Sequence, residues 1–266
     1  MVGKILMAGA FALASLAAAP PANPFAGVVR EPDQTLHLVH GFSSNFIIGA
    51  PLPIKDVAAA SFSSNAGLVL TPGLLEFVGI DGAVLGSYAT KELHPVLGVA
   101  NDSRTAVAWL PAEEKLARWI GAQFTLIPLS AAKLPGSIVA LQVNSADSVD
   151  LWTEAQRSAI QHFRLSLRDG EPSPLETVTG VSSNIAVVNR SLVFSDSGNL
   201  KIQFPDGSVR SLPLPFSDLT FEVASDHWIH IISASARRQW MLHVEASGAS
   251  LSELPIPAPL VTEVTQ

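Results

Sequence analysis

The chain has 266 residues and no cysteine, so it can form neither a disulfide nor a thiolate metal centre. Its formal net charge of -7 argues against a nucleic acid as partner, because surfaces that bind phosphate are basic. Hydrophobic residues make up 48% of the chain and charged residues only 15%, which is typical of short strands buried between stacked sheets.

The first 19 residues have the features of a secretory signal peptide. Lys4 precedes an apolar run that ends in three small residues, Ala17 to Ala19. The run is shorter than the roughly 20 apolar residues that cross a bilayer comfortably. We therefore expect a secreted or periplasmic protein without a stable membrane anchor. Residues 20–33 are proline-rich at their start and are predicted to be an extended leader, and residues 34–264 a single domain.

Two strands are predicted at the start of this domain, Leu36 to Val39 and Phe46 to Gly49. The segment after them, Pro51 to Asp56, resembles Pro213 to Asp218, which follows the last strand of a later unit. The pair should therefore occupy the third and fourth positions of a sheet. The C-terminal residues Leu260 to Val264 could supply one of its inner strands, which would close a ring of sheets.

The next stretch contains four short apolar runs separated by turn signals, which predicts a four-stranded antiparallel sheet. The four strands are Val57 to Phe62, Leu68 to Thr71, Leu74 to Ile80 and Ala83 to Tyr88. One such sheet cannot bury both of its faces, so its repetition is what makes a core possible.

This pattern occurs five times, at a spacing of roughly 40 residues, the period of a four-stranded propeller blade. The third turn of each unit contains a glycine: Gly82, Gly121, Gly170, Gly207 and Gly248. The first turn of each contains a short polar residue: Asn65, Asp102, Asn144 with Asp147, Asn189 and Asp226. The later units span Val96 to Pro128, Ile138 to Thr179, Ile185 to Pro213 and Leu219 to Pro255. In the third unit, Glu154 to Phe163 could form a helical turn, whereas Phe163 to Arg168 alternates as a strand does.

The first-turn sequences Ser63-Ser64-Asn65-Ala66-Gly67 and Asn101-Asp102-Ser103-Arg104 make residues 34–256 resemble the WD40-like and YVTN-type β-propeller repeats of secreted bacterial proteins. The Gly-His and Trp-Asp pairs of the eukaryotic WD pattern are missing. The resemblance implies an all-β propeller of four-stranded antiparallel blades: five full blades and a composite sixth, closed by N- and C-terminal strands. We expect a monomer; the alternative is a fragment of a longer propeller that closes by oligomerising.

In propellers of this kind, the loops between blades and those joining the second and third strands lie on one face. Here those loops form a polar rim of mixed charge, which we take as the candidate binding site. Its residues are Glu92, His94, Glu113, Glu114, Glu154, Arg157, Asp196, Asp218, Arg237 and Arg238.

No metal or cofactor site is predicted. His227 and His230 stand three residues apart, and on a strand this spacing points side chains to opposite faces. Asp81, Asp169 and Asp206 each precede a glycine and are explained as hairpin-turn residues. The five tryptophans lie in or beside strands, which favours packing between blades.

Two functions fit these observations. The first is a secreted, non-catalytic module that binds a protein or a glycan through the loop face. The alternative is an extracytoplasmic hydrolase or lyase that uses two rim carboxylates as an acid/base pair. The interpretation as a binding module is preferred, because each carboxylate is also explained as a solvated loop residue.

Overall fold

The computed structural model describes residues 24–42, 45–129, 133–155, 159–181, 184–246 and 248–255. These residues form six antiparallel sheets. Two predictions lie outside them, namely the signal peptide and the C-terminal strand at residues 260–264. Among the described residues, no helix is long and apolar enough to cross a membrane.

Five of the sheets have four strands each, in the order of the chain. They comprise β4 (Ala59–Phe62), β5 (Ala66–Thr71), β6 (Leu74–Gly79) and β7 (Val84–Ala89); β8 (Val96–Val99), β9 (Thr105–Leu110), β10 (Lys115–Ile120) and β11 (Gln123–Pro128); β12 (Ser137–Ser145), β13 (Ser148–Ala155), β14 (Ala159–Ser166) and β15 (Pro172–Thr179); β16 (Ile185–Val188), β17 (Ser191–Asp196), β18 (Asn199–Gln203) and β19 (Val209–Pro213); and β20 (Leu219–Ser225), β21 (Trp228–Ser233), β22 (Arg238–Glu245) and β23 (Gly248–Glu253). The five predicted units are thus confirmed as five blades.

The turns explain why the chain reverses at these points. Gly82, Gly121, Gly170 and Gly207 all have positive φ, as the prediction of hairpin tips requires. Asp81 and Asp206 accept a hydrogen bond from the backbone N–H two residues further on, which closes each turn. In the third unit, β13 ends at Ala155 and β14 begins at Ala159, so the described residues of the possible helical turn are in strands instead.

The first sheet has three strands, β1 (Phe25–Arg30), β2 (Leu36–His40) and β3 (Ile47–Pro51), in that order. Residues 25–30 were predicted to belong to a leader, and the structure corrects this prediction by placing β1 there. All three strands come from the N-terminal part of the chain, so among the described residues this sheet is not the predicted composite of both termini.

The position of β1 shows which strand the first sheet lacks. Ser225 donates a hydrogen bond to the Ala26 carbonyl, and Arg30 forms an ion pair with Glu222, so β1 runs antiparallel to β20. Neighbouring innermost strands of a propeller run parallel, which makes β1 a second strand. Among the described residues the first sheet therefore has no innermost strand, and β2 and β3 occupy the third and fourth positions, as predicted.

The ring closes at the centre without that strand. Ser64, in the first turn of the second sheet, donates both its backbone N–H and its hydroxyl to Asp226, in the first turn of the last sheet. The central channel is accordingly lined by the five innermost strands β4, β8, β12, β16 and β20. The described part of the chain thus forms six sheets around five channel-lining strands.

Apolar side chains between successive sheets form the core. Between the second and third sheets, Phe77 stacks on Trp119 with ring centroids 5.0 Å apart. The indole also covers Gly86, where an added Cβ would lie 2.2 Å from the ring. Because a full-size side chain has no room there, Gly86 allows the large buried Trp119 to pack across the blade interface. The tryptophan thus packs between blades, as the sequence predicts.

Candidate functional site

Of the predicted rim residues, Glu92, His94, Glu113, Glu114, Asp218 and Arg237 lie on loops between blades or between second and third strands, whereas Glu154, Asp196 and Arg238 lie at the ends of strands. Most of the rim residues with described contacts interact within their own blade or with the adjacent one. His94, Glu114, Glu154 and Arg237 are exposed, and Arg157 lies outside the described residues. Among the described residues, no group of three or more His, Asp or Glu side chains could hold a metal ion.

Glu92 is the most buried rim residue, at 6% exposure. Its Oε1 accepts the backbone N–H groups of Leu93 and His94, each at 2.9 Å, and its Oε2 accepts that of Ala112 at 2.8 Å. Burial raises the pKa of Glu92, but these hydrogen bonds outweigh it and hold the pKa below its ordinary value. The carboxylate thus organises two loops, and both of its oxygens already accept hydrogen bonds within the fold.

Glu113 and Asp218 are held in the same manner. Glu113 accepts hydrogen bonds from the hydroxyls of Tyr88, at 2.8 Å, and Thr90, at 2.6 Å. Asp218 accepts from the backbone N–H of Ser235 and the hydroxyl of Ser233, each at 2.7 Å, and these bonds lower its pKa to about 2. An acid/base pair needs one carboxyl of raised pKa, whereas the pKa of Asp218 is lowered.

The two remaining charged rim residues form local ion pairs. Asp196 pairs with Lys201 on the adjacent strand of its hairpin. Arg238 pairs with Glu253 and lies over the ring of Trp240, 5.4 Å from the centroid. The structure does not bring charged rim residues from different blades into one described cluster.

The opposite face of the ring carries a concave site. The first turns of the blades lie there, so we call it the turn face. An open hollow of about 450 Å³ is sunk into it. Its polar lining comes from three neighbouring blades and consists of Asn101, Asp102, Gln142, Asn144, Asn189 and Arg190.

Four amide side chains and one guanidinium dominate the chemistry of the hollow. Asp102 is committed to its own turn, because its Oδ1 accepts the backbone N–H groups of Arg104 and Thr105 at 2.8 and 3.1 Å. Asn189 and Arg190 have positive φ, with values of 50° and 62°. This left-handed pair places the exposed Arg190 at the edge of the hollow. Amides both donate and accept hydrogen bonds, so such a lining suits a neutral polar chain.

A narrow passage continues from the hollow into the channel, and we call it the constriction. Its cavity volume is about 20 Å³, and its polar lining consists of Ser61, Asn101, Gln142, Asn189, Ser225 and Asp226. Beyond it, the channel widens to a chamber of about 230 Å³ that is lined mainly by apolar residues of the five innermost strands.

The sequence identifies the first-turn residues as turn formers, and not as a site. Asn144, Asn189 and Asp226 carry that signal because short polar side chains recur in phase. The repeat itself could have indicated the hollow, since equivalent turns of successive blades converge on one face. Gln142 carries no turn signal, and only its place in the fold brings it there.

No protein-family model matches the chain, and the curated proteins contain no match to it either. Similar solved structures include a nidogen/laminin complex, with 7% identity and a TM-score of 0.53, over 88% of this chain and 98% of that chain. Virginiamycin B lyase from Staphylococcus aureus has 13% identity and a TM-score of 0.46, over 89% of this chain and 85% of that chain. PorZ of Porphyromonas gingivalis has 12% identity and a TM-score of 0.49, over 88% of this chain and 33% of that chain.

At such identities, structural similarity concerns the fold alone. The nidogen/laminin similarity agrees with the six sheets described above. The chain is a six-bladed β-propeller.

Proposed function

We propose that this propeller is a non-catalytic binding module that holds an exposed segment of a partner protein in the hollow of the turn face. The observation that carries the proposal is the hollow itself, a concavity of about 450 Å³ with an amide-rich lining from three blades. Its size suits a few residues of an extended or looped segment. Asn and Gln side chains can pair with both the N–H and C=O groups of such a segment.

A protein segment fits this lining better than a glycan does. Sugars are commonly held by aromatic rings, which offer a flat apolar surface, and no aromatic side chain is among the described residues that line the hollow. Arg190 adds one exposed guanidinium, which suits an acidic residue or a terminal carboxylate in the segment.

The tethered rim carboxylates support a binding role over catalysis. Glu92, Glu113 and Asp218 are all engaged as hydrogen-bond acceptors within the fold. We further propose that the chain belongs with the WD40-like or YVTN-type repeats, is secreted or periplasmic, and acts as a monomer. The first-turn motifs support the first of these assignments, and the N-terminal apolar run supports the second.

The experiment that tests the proposal is selection from a displayed random-peptide library on the immobilised protein, followed by titration of a selected peptide. Ala246→Trp should obstruct the hollow sterically, and Arg190→Ala should remove its charge. We expect at least tenfold weaker binding for each variant. The matched controls on the opposite face are Glu114→Gln and Arg237→Ala, and these should bind as the wild type does.

Three outcomes would overturn the proposal. Loss of binding in the rim controls alone would move the site to the predicted rim. Selection of no peptide, together with binding to a glycan array, would replace the protein partner by a sugar. Turnover of any bound ligand would show an enzyme.

A further inference from the structure

The constriction contains polar atoms that the fold leaves without partners. Ser61 is only 3% exposed, and its hydroxyl makes no hydrogen bond among the described residues. The buried Gln142 Oε1 is likewise unpartnered within the described chain. Buried polar atoms are nearly always paired, and an unpaired one costs about 1–3 kcal/mol. Two such atoms around one small cavity indicate a bound species that pairs with both.

The constriction has the size of a single small guest. Its volume of about 20 Å³ is small beside the hollow and the chamber on either side. A cavity of roughly 10–15 Å³, measured with a water-sized probe, already holds one water molecule. The site therefore fits one water molecule or one dehydrated ion, and excludes a larger ligand.

The charge of the lining selects a cation. Asp226 is the only charged side chain among the described residues that line the constriction. Its Oδ2 accepts the backbone N–H and the hydroxyl of Ser64, which fixes the carboxylate in place. Because no cationic side chain is among the described residues that line the constriction, and the rest of its wall is apolar and of low dielectric, an anion would be strongly disfavoured.

The arrangement of the oxygen-bearing side chains follows from the fold. Each of the five four-stranded blades contributes at least one of them to the constriction: Ser61, Asn101, Gln142, Asn189, and Ser225 with Asp226. Hydroxyl, amide and carboxylate oxygens are the ligands of hard cations, and calcium takes six to eight of them.

We propose that the constriction binds one hard metal cation, of the calcium or sodium kind, at the centre of the ring of five innermost strands. The bound cation ties all five full blades together. This site lies deeper in the channel than the hollow, so it can be present whether or not the hollow binds a peptide.

The test is thermal unfolding of the full mature protein after chelation, in buffers of equal ionic strength that contain calcium, magnesium, sodium or choline chloride. At about 100 times Kd, a cation that binds only the folded state should raise Tm by roughly 5–10 °C. Isothermal titration should then give one site per chain. Asp226→Asn should abolish the rise, and Ser61→Ala, a milder change, should reduce it.

The matched control is Asp206→Asn, which removes an exposed turn carboxylate outside the constriction. It should keep the full rise in Tm. If Asp226→Asn does not fold, Ser61→Ala and the titration decide alone. The proposal is overturned if no metal chloride raises Tm above choline chloride, which would leave water as the guest, or if the rise persists in the folded variants.

Discussion

The imidazole Nδ1 of His230 lies 3.9 Å from Glu222 Oε2, in a fully buried position beside the first sheet. The orientation of the ring follows from its other partners. Glu31 accepts a hydrogen bond from Gln239 Nε2 at 3.1 Å, which leaves Gln239 Oε1 to accept from His230 Nε2 at 2.9 Å. Nδ1 therefore carries no hydrogen in the neutral ring, and it becomes a donor toward Glu222 only when the ring is protonated.

Glu222 should make the free energy of unfolding depend on pH in the acidic range. Burial raises its pKa, but the nearby His230 imidazole and the charge of Arg30 lower it by more, so the pKa lies below its ordinary value. Such a carboxyl stabilises the fold above its unfolded pKa of about 4.3, and this contribution is lost as the pH falls through the folded-state pKa.

We therefore expect Glu222→Gln to lower the free energy of unfolding by about 2 kcal/mol near pH 7, because Arg30 loses its partner. Below about pH 4.3 the variant should lose stability less steeply than the wild type. Urea unfolding over a series of pH values measures both effects. If the free energy of unfolding depends on pH in the same way in both proteins, Glu222 is not the cause of the acid sensitivity.

Gly27→Ala should separate β1 from β20. Gly27 has φ of 155°, and an added Cβ would lie 2.6 Å from the Ala224 carbonyl oxygen. We expect a loss of about 3 kcal/mol in the free energy of unfolding, since backbone must move to admit the methyl group. Gly73→Ala is the control, because that turn also has positive φ but no atom within 4 Å. Equal losses of stability in the two variants would show that positive φ, and not the contact with Ala224, causes the destabilisation.

Asp150 should contribute far more to the free energy of unfolding than its neighbour Asp147 does. Asp150 is 3% exposed and receives two bonds from Arg164, at 2.8 and 3.1 Å. Asp147 pairs with Arg168 at the surface, where solvent screens the interaction. Asp150→Ala should cost about 3 kcal/mol, and Asp147→Ala a much smaller amount. Chemical denaturation of the two variants provides the comparison, and similar midpoints would contradict it.

Glu92→Gln tests whether this rim carboxylate is structural. The amide oxygen of glutamine can accept from two of the three N–H groups, but its NH₂ then faces the third N–H. We therefore expect the free energy of unfolding to fall by about 1–2 kcal/mol. Glu114→Gln, at an exposed position, should leave the unfolding midpoint unchanged. If instead Glu92→Gln is neutral in stability but abolishes binding of a ligand, the rim is functional as first predicted.

The sequence predicts the repeated part of the fold well because its signals are local. Positive φ at Gly82 and Gly207 is required by hairpin turns, and the carboxylates of Asp81 and Asp206 close those turns within three residues. A pattern of this kind depends on neighbours in the chain, so periodicity is enough to find it.

The first sheet and the candidate site depend on contacts between residues that are far apart in the chain, and such contacts cannot be inferred from periodicity. Arg30 meets Glu222 across 192 positions of the chain, and Ser64 meets Asp226 across 162. Nothing in the residues around β1 signals a strand that packs against the end of the domain. The polar turn residues were recognised, but their convergence around one channel follows only from the closure of the ring.

The three-stranded first sheet changes how the two ends of the propeller hold together. Between residues 24–56 and the last sheet, the described chain shows side-chain contacts and no shared ladder of backbone hydrogen bonds. Local opening follows the weakest set of contacts. Because the first sheet has three described strands and none that lines the channel, we expect it to open before the other five, and its backbone amides should exchange hydrogen faster than those of β9 or β21.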